Sequence, residues 1–322
     1  MWNQLKTLAL LGALSALVVG VGAAVAPGYL YLFGALALVM NLGAYFYSDR
    51  MVLALHRARE VGPSEAPRLH EMVGELASRA GIPAPRLYLV ASRQPNAFAT
   101  GRNPAHGAVA VTEGILEVLS DRELRGVLAH EIAHIRNRDV LLSTIAASAG
   151  AIVTNIGHSL MWGSLLGGGR EDEEGGAAGG LLAALLAPVA ATLIQLGISR
   201  SREYLADETG ARLSGDPEAL ASALVKLEQG AHALPMQAAP ATASLFIVSP
   251  FGPLQSLARL FSTHPATEER VRRLMAMADA SRGPSSIRSA PRPAARASGR
   301  FPRAAARTLY VRGPLGYYPV TE

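Results

Sequence analysis

Two histidines and a glutamate lie within five consecutive residues of this chain, in the order His130, Glu131, Ile132, Ala133, His134. In an α-helix, residues i and i+4 lie on one face, about 6 Å apart along the axis. Both imidazoles can therefore reach one Zn²⁺ at about 2.0–2.1 Å, with the glutamate beside it. Such a carboxylate can take a proton from an attacking water and deliver it to a leaving amine. The pattern predicts a zinc centre for peptide-bond hydrolysis.

The residues around this pattern predict that it lies on an amphipathic helix with one buried face. The five-residue pattern also arises by chance, and most chance copies lie on solvated helix faces. Here Ser120 and Glu123 form the S-x-x-E pattern of a capping box, which predicts the start of a helix. An apolar stripe at helical spacing follows, formed by Leu124, Val127, Leu128, Ile132 and Ile135.

A third metal ligand has to come from elsewhere, because catalytic zinc sites have three protein ligands and one open position. In residues 198–207, Glu203 and Asp207 share a helical face at spacing i, i+4. One carboxylate could bind the metal while the other accepts the free ring N–H of a metal-bound histidine. Glu203 is the better candidate for the ligand. The alternative is a solvated acidic face balanced by Arg200 and Arg202.

Four motifs in this order resemble those of the HtpX family of membrane-bound zinc proteases, relatives of the CAAX prenyl endoproteases. The resemblance extends over about residues 1–280. The motifs are PNAFATG at 95–101, HEIAH at 130–134, SREYLAD at 201–207, and His264-Pro265 followed by Arg270.

The resemblance implies a set of site residues. It implies one Zn²⁺ per chain, bound by His130, His134 and Glu203, with Glu131 as general base and Asp207 supporting a ligand histidine.

Two further segments acquire a role only through the resemblance. A lone histidine before a proline is usually structural, but His264 is expected to stabilise the oxyanion, with Arg270 orienting it. The segment that contains Asn96, Ala97 and Phe98 is expected to bind substrate along the cleft, because an extended peptide can add to a sheet edge. The alternative for this segment is an ordinary core strand.

The expected fold class is an α-helical integral membrane protein with a mostly helical, zincin-like α+β catalytic domain that a transmembrane hairpin splits. A helix is predicted at Leu69–Ala80, followed by Gly81. Strands of a small sheet are predicted at Arg86–Val90, Asn96–Thr100 and Gly107–Thr112.

Half of the residues are hydrophobic, and the mean hydropathy is +0.22. A first hairpin is predicted with spans at 7–26 and 29–47, each close to the ~20 residues that cross a bilayer. A cleaved signal peptide is the competing interpretation, but the second apolar run follows almost at once. A second hairpin has apolar stretches at 140–166 and 181–198 around an acidic loop at 167–180. These two stretches could instead lie against the bilayer or the catalytic domain.

The predicted organisation has five parts, and the two halves of the catalytic domain flank the second hairpin. The parts are the hairpin 1–50, the first catalytic half 51–139, the hairpin 140–198, the second catalytic half 199–280 and a basic, disordered tail 281–322.

Charge predicts the orientation of the chain in the membrane, which the resemblance implies to be a bacterial-type inner membrane. Basic residues flank both hairpins on one side, which predicts cytoplasmic termini and a cytoplasmic catalytic domain. These residues are Lys6, Arg50, Arg57, Arg59, Arg136, Arg138, Arg200 and Arg202.

The expected partners are polypeptide substrates and the lipid bilayer. The resemblance implies that the substrates are misfolded or damaged membrane proteins. The basic tail could lie on anionic lipids or have no partner, and it does not predict nucleic-acid binding. The chain has no cysteine, which excludes disulfides and thiolate metal ligands. Two other functions are weighed: a zinc-containing membrane scaffold or chaperone-like protein, and a CAAX-type prenyl-protein protease, which four spans would enclose poorly. The sequence leaves the oligomeric state open.

Overall fold

A computed structural model of the chain describes residues 2–25, 27–166, 200–234, 240–250, 265–282, 309–313 and 316–320. The chain divides into two compact units, Met1–Ser281 and Arg282–Glu322. The described helices of the first unit are α1 (Trp2–Val25), α2 (Leu30–Leu55), α3 (Pro67–Ala80), α4 (Glu113–Val118), α5 (Asp121–Arg136), α6 (Val140–Leu166), α7 (Arg200–Ser214), α8 (Pro217–Ala233) and α9 (Thr267–Ser281). Its described strands are β1 (Arg59–Glu60), β2 (Arg86–Val90), β3 (Ala97–Thr100) and β4 (Ala108–Thr112).

The four strands form one mixed sheet in the order β1-β2-β4-β3. Strands β2 and β4 are parallel, and the other two pairs are antiparallel. The three strands predicted from sequence are confirmed, and so is the helix that ends at Gly81, whose φ of 68° lets the chain turn back. The fold is therefore mostly helical with a small sheet, as the sequence predicted.

Both faces of the sheet are covered, so β4 is buried at every position. Val109 and Val111 point to one face and pack with α3 and α5 in the main core. Ala108 and Ala110 point to the other face and pack with the end of α2 and with α6. The sheet thus lies between the helix that carries HEIAH and the helices of the predicted membrane hairpins.

Helix α5 begins at the capping box that the sequence predicted. The backbone N–H of Ser120 donates to the Glu123 carboxylate at 2.9 Å. The same carboxylate accepts hydrogen bonds from Ser222 at 2.6 Å and Lys226 at 2.8 Å, both in α8. A local capping signal therefore also fixes α5 against a helix about 100 residues away in sequence.

Helix α5 packs closely against α7 because both helices have small residues where they cross. A Cβ added at Gly210 of α7 would lie 2.8 Å from the backbone nitrogen of His130 and 2.9 Å from its Cα. Distances this short leave no room for any side chain. Gly210 therefore brings the segment SREYLAD next to the segment HEIAH.

Among the described residues, α2 is the one helix long and apolar enough to cross a membrane by length and composition. The apolar segments Leu5–Gly20 in α1 and Val140–Thr154 in α6 are shorter. The predicted spans 7–26, 29–47 and 140–166 coincide with α1, α2 and α6, whereas 167–180 and 181–198 lie outside the described residues.

Helix α2 runs past its predicted membrane segment into the catalytic domain. Its last turns bury Val52 and Leu53 against the sheet, and Asp49 pairs with Arg86 of β2 at 3.4 Å. Near its middle, the amide of Asn41 donates to Ser15 of α1 at 2.6 Å. The hydrogen bond joins the two helices of the hairpin, and the apolar packing joins the hairpin to the sheet.

The second unit contains a two-stranded antiparallel hairpin, β5 (Leu309–Gly313) and β6 (Gly316–Val320). The sequence predicted disorder for the whole tail, so this hairpin differs from the prediction. Its strands are rich in aromatic and β-branched residues and flank a turn bounded by glycines, which is a hairpin pattern. The remaining tail residues, 283–308, lie outside the described part.

Replacing Gly210 by alanine should destabilise the fold, because the new methyl group would contact backbone atoms of α5 that cannot rotate away. We expect the free energy of unfolding to fall by about 1–3 kcal/mol, measured by denaturant unfolding in detergent micelles. Gly74 of α3 is the matched control, since a Cβ there meets nothing within 4 Å. Gly74→Ala should be neutral or stabilising, because alanine favours helix.

Glu123 should make the stability depend on pH in the acidic range. Burial raises the pKa of its carboxyl, but hydrogen bonds from Lys226, Ser222 and Ser120 outweigh burial and hold the pKa at about 2. Because the folded pKa is depressed, this stabilisation is present above about pH 4.5 and is lost as the pH falls towards 2.

Glu123→Gln should therefore lower the free energy of unfolding on the order of 2 kcal/mol at pH 7, with the difference shrinking below pH 4.5. Denaturant unfolding over a pH series checks this. The exposed Glu117→Gln serves as control, and a difference that stayed constant down to pH 2 would contradict the assignment.

Candidate metal centre

The three side chains proposed as ligands converge in the structure. His130 and His134 come from α5, and Glu203 comes from α7. The Nε2 atoms of the two histidines are 3.2 Å apart, and Glu203 oxygens lie 3.5 Å from His134 Nε2 and 3.8 Å from His130 Nε2. One ligand atom from each residue falls within 4.8 Å of the others.

These distances fit a metal ion. A tetrahedral zinc site with bonds of about 2.0–2.1 Å has ligand–ligand distances of about 3.3–3.4 Å. The observed distances of 3.2, 3.5 and 3.8 Å are close to this value, the last two being measured to different carboxylate oxygens of Glu203. Two nitrogen lone pairs that face each other at 3.2 Å also repel unless a proton or a cation lies between them. The three residues are thus positioned for a metal ion.

Each ligand histidine has a carboxylate at its other ring nitrogen. Asp207 Oδ1 lies 2.9 Å from Nδ1 of His130, a hydrogen-bond distance although the approach is off the ideal direction. Asp139 Oδ2 lies 3.4 Å from Nδ1 of His134. These carboxylates favour the proton on Nδ1, so that both Nε2 lone pairs face the metal position.

A buried arginine compensates the charge of Asp207. Arg270 of α9 is 1% exposed and donates to both carboxylate oxygens of Asp207, at 2.7 Å each. Burial opposes ionisation of this carboxyl, but Arg270 outweighs burial and holds the pKa of Asp207 below its usual range. A third donation from Arg270 goes to the carbonyl of Ile247 at 2.7 Å. Arg270 was expected to orient His264, which lies outside the described residues.

Glu131 lies one residue after the first ligand and is 1% exposed. Both of its carboxylate oxygens lack a hydrogen-bond partner of good geometry among the described residues. Burial raises the pKa of Glu131 to about 8. A buried polar group with nothing to bind indicates an interaction with a ligand or water.

The electrostatics of the second histidine are consistent with a cation site. Burial lowers the pKa of His134, but the carboxylates of Glu203, Asp139 and Glu131 outweigh burial and raise it to about 9. The carboxylates therefore attract a positive charge to this position. A bound divalent cation would replace the proton and keep His134 neutral.

A small cavity lies beside these groups. Its volume is about 30 Å³, room for one or two water molecules, and its lining includes Ala99, Glu131, Ser143 and Leu245. The cavity is adjacent to the three ligand residues, which also line it. A water molecule there would lie next to the Glu131 carboxylate.

The residues expected to bind substrate contact another segment of the same chain. Asn96, Ala97 and Phe98 are at most 1% exposed. The amide of Asn96 donates to the carbonyl of Val248 at 3.0 Å, and the N–H of Ile247 donates to the carbonyl of Ala97 at 3.0 Å. The chain thus pairs its own edge strand, because an edge strand left open exposes unpaired backbone groups. A role in substrate binding stays a prediction, and it requires this segment to move.

Sequence reasoning missed two features of the site, Asp139 and the segment Ser244–Val248. Asp139 follows His134 by five residues in HIRNRD, so the end of the HEIAH helix was an available signal. The segment Ser244–Val248 has no motif of its own, and only its contacts in the structure reveal its position.

A helix bearing H-E-x-x-H that a carboxylate from a second helix completes is an arrangement found in metallopeptidases. The model of Peptidase family M48 matches residues 63–278. The chain belongs to peptidase family M48 and, within it, to the HtpX proteases, as its motifs predicted. It is therefore a peptidase, and polypeptides are its substrates.

Three relatives, each named Protease HtpX homolog, match over nearly their whole length. The protein of Pelotomaculum thermopropionicum is 56% identical over 281 residues, which is 86% of this chain and 99% of that protein. The protein of Syntrophobacter fumaroxidans is 51% identical over 86% of this chain and 100% of its own length. That of Ralstonia pickettii is 49% identical over 88% and 100%.

Among solved structures, the crystal structure of S. mikatae Ste24p matches 84% of this chain and 65% of that chain. The sequence identity is 19% and the TM-score is 0.45.

Removing the buried arginine should destabilise the protein strongly. In Arg270→Met, Asp207 would be left as a buried charge without compensation, and we expect the free energy of unfolding to fall by about 3–5 kcal/mol. The measurement is denaturant unfolding in EDTA, so that metal binding does not contribute. Arg272→Met is the control on the same helix, because that side chain is exposed and pairs with Glu269 of the same helix. Equal stability of both variants would contradict the role of Arg270.

Proposed function

We propose that this peptidase is a membrane-embedded zinc endopeptidase that hydrolyses peptide bonds of misfolded or damaged membrane proteins. The observation that carries the proposal is the convergence of His130, His134 and Glu203 beside the buried carboxylate of Glu131. Two imidazoles and one carboxylate are a ligand set that zinc accepts while keeping one position open for water or substrate. A structural zinc site would instead be closed by four protein ligands, which argues against a scaffold role.

The protein residues have distinct parts in this reaction. Zinc, when bound, supplies Lewis-acid polarisation of the scissile carbonyl and of the attacking water. Glu131 accepts the proton of that water and returns it to the departing amine, a task that suits a carboxylate with a raised pKa. His130, His134 and Glu203 hold the ion, and Asp207 holds the ring of His130 in place. His264 is proposed to donate to the oxyanion of the tetrahedral intermediate.

The apolar surface of α2 supports a membrane location. Large apolar side chains of α2 are exposed along most of its length, which is costly in water and favourable in lipid. They include Tyr31, Leu32, Leu36, Leu38, Val39 and Leu42. We therefore propose a multi-pass protein of a bacterial-type inner membrane, with two hairpins and with both termini and the metal centre on the cytoplasmic side. The quality-control role and the choice of membrane proteins as substrates rest on the resemblance to the HtpX family.

The test compares wild type with Glu131→Gln and Glu203→Ala in detergent micelles. Zinc content is measured by elemental analysis and cleavage with an unfolded casein. We expect one zinc per chain in wild type and Glu131→Gln, and little in Glu203→Ala. Cleavage by Glu131→Gln should fall by about 10²–10⁴-fold in kcat/KM, because only proton transfer is lost. Chelation should abolish cleavage by wild type, and added zinc should restore it.

Glu208→Gln is the matched control, since Glu208 is exposed on α7 five residues after the ligand Glu203. Full cleavage by Glu131→Gln would refute its role as base. Equal zinc binding with no cleavage of casein in any variant would be followed by a destabilised membrane protein reconstituted with the enzyme in vesicles. Cleavage of the membrane protein but not of casein would support membrane proteins as the substrate class. If the membrane protein also remained intact, the proposed function would be contradicted.

A further inference from the structure

The last turn of α5 places a second carboxylate against the metal centre. Arg138 has a φ of 57°, in the left-handed region, without being glycine. Its N–H donates to the carbonyl of Ile135 at 3.1 Å, and the N–H of Asp139 donates to the carbonyl of His134 at 3.0 Å. This pair of hydrogen bonds is a Schellman motif, which reverses the chain at a helix end. The reversal brings Asp139 back beside the ring of His134.

The turn is costly for the residue that makes it. A non-glycine residue in the left-handed region is strained, and such strain persists where the surrounding structure imposes it. Here the structure buries the next side chain, since Asp139 is 3% exposed. A buried carboxylate needs favourable partners, and Nδ1 of His134 lies 3.4 Å from Oδ2 of Asp139.

Side chains of α6 and α7 also help to hold Asp139 in position. Ser143 of α6 donates to the backbone carbonyl of Asp139 at 3.3 Å. Arg202 of α7 donates to the hydroxyl of Ser143 at 3.4 Å, next to the ligand Glu203. Ser143 therefore links the backbone of Asp139 to the side chain of Arg202.

The arrangement parallels that of the other ligand histidine. His130 faces Asp207, which Arg270 compensates. His134 faces Asp139 near the side chain of Arg202. Each histidine would therefore have its ring fixed by a carboxylate on the side away from the metal, although only Asp207 lies in a motif that sequence reasoning had singled out.

We propose that Asp139 is a positioning residue for the metal ligand His134: its carboxylate accepts the Nδ1 proton, and the left-handed turn at Arg138 sets its position. The inference rests on the proposed metal site. In this role Asp139 is neither a metal ligand nor a catalytic group. It keeps His134 in the tautomer and orientation in which Nε2 faces the ion.

The test measures zinc affinity of the full-length protein in detergent, by competition with a chromophoric chelator. Asp139→Ala should raise the zinc dissociation constant by about 10–100-fold. Asp139→Asn should have a smaller effect, because the amide oxygen can still accept the ring proton. Asp121→Asn, at the opposite end of α5 and partly exposed, is the control and should bind zinc like wild type. Melting temperatures in EDTA report any purely structural damage.

A second pair of variants tests the turn itself. Glycine adopts the left-handed conformation freely, whereas a β-branched residue resists it. Arg138→Gly should therefore keep the affinity of wild type, and Arg138→Val should weaken zinc binding. If Asp139→Ala does not fold in EDTA, the difference in zinc affinity between Arg138→Gly and Arg138→Val tests the role of Asp139 instead.

The outcomes separate the two proposals. Wild type that binds no zinc would overturn the proposed function. Wild type that binds zinc, with Asp139→Ala and Arg138→Val binding it equally well, would overturn the role of Asp139 alone. Weaker zinc binding by Asp139→Ala at an unchanged melting temperature in EDTA would support it, because a merely structural role would lower that temperature.

Discussion

Arg270 and Asp207 carry opposite charges and are both buried, so either charge without the other would strongly destabilise the fold. Their contact joins α9 to α7. Asp207 then contacts His130 of α5, and Arg270 also holds the carbonyl of Ile247. One ion pair therefore determines where three helices and one loop segment meet. The metal position lies beside that meeting point, so its geometry depends on a pair of residues that are not ligands.

The sheet gives this arrangement its second support. One face of β4 packs on the helix that carries the ligand histidines, and the other face packs on the end of α2. Helix α2 is also the described helix that is long and apolar enough to cross a membrane. The end of α2 is therefore part of the core of the catalytic domain, on the opposite side of the sheet from the helix that carries the ligand histidines. A helix that served only as a membrane anchor would not need to pack against the sheet.

Local patterns predicted local structure well. The capping box at Ser120 and the glycine that ends α3 follow from interactions between residues close in sequence. The alternating pattern of Arg86–Val90 predicted β2, and the structure confirms all three. Prediction was poorer where contacts are distant. The pairing of Ile247 with Ala97 joins residues 150 positions apart, and no periodicity indicates it. The tail hairpin was missed because its basic, proline-rich surroundings dominated the composition.

By itself, the sequence determined which groups are available for chemistry: two imidazoles and a carboxylate on one helical turn, and a second helix with Glu203 and Asp207. It also determined the apolar runs of membrane length. These follow from side-chain type and helical period, which are properties of short segments. Only the tertiary structure decided how the parts combine. It placed Glu203 within reach of both histidines, assigned Asp207 to His130 and Asp139 to His134, and paired the β3 edge with the chain itself. Those choices depend on close packing, such as the contact at Gly210, and on the cost of burying an unpaired charge, neither of which is encoded in any single segment.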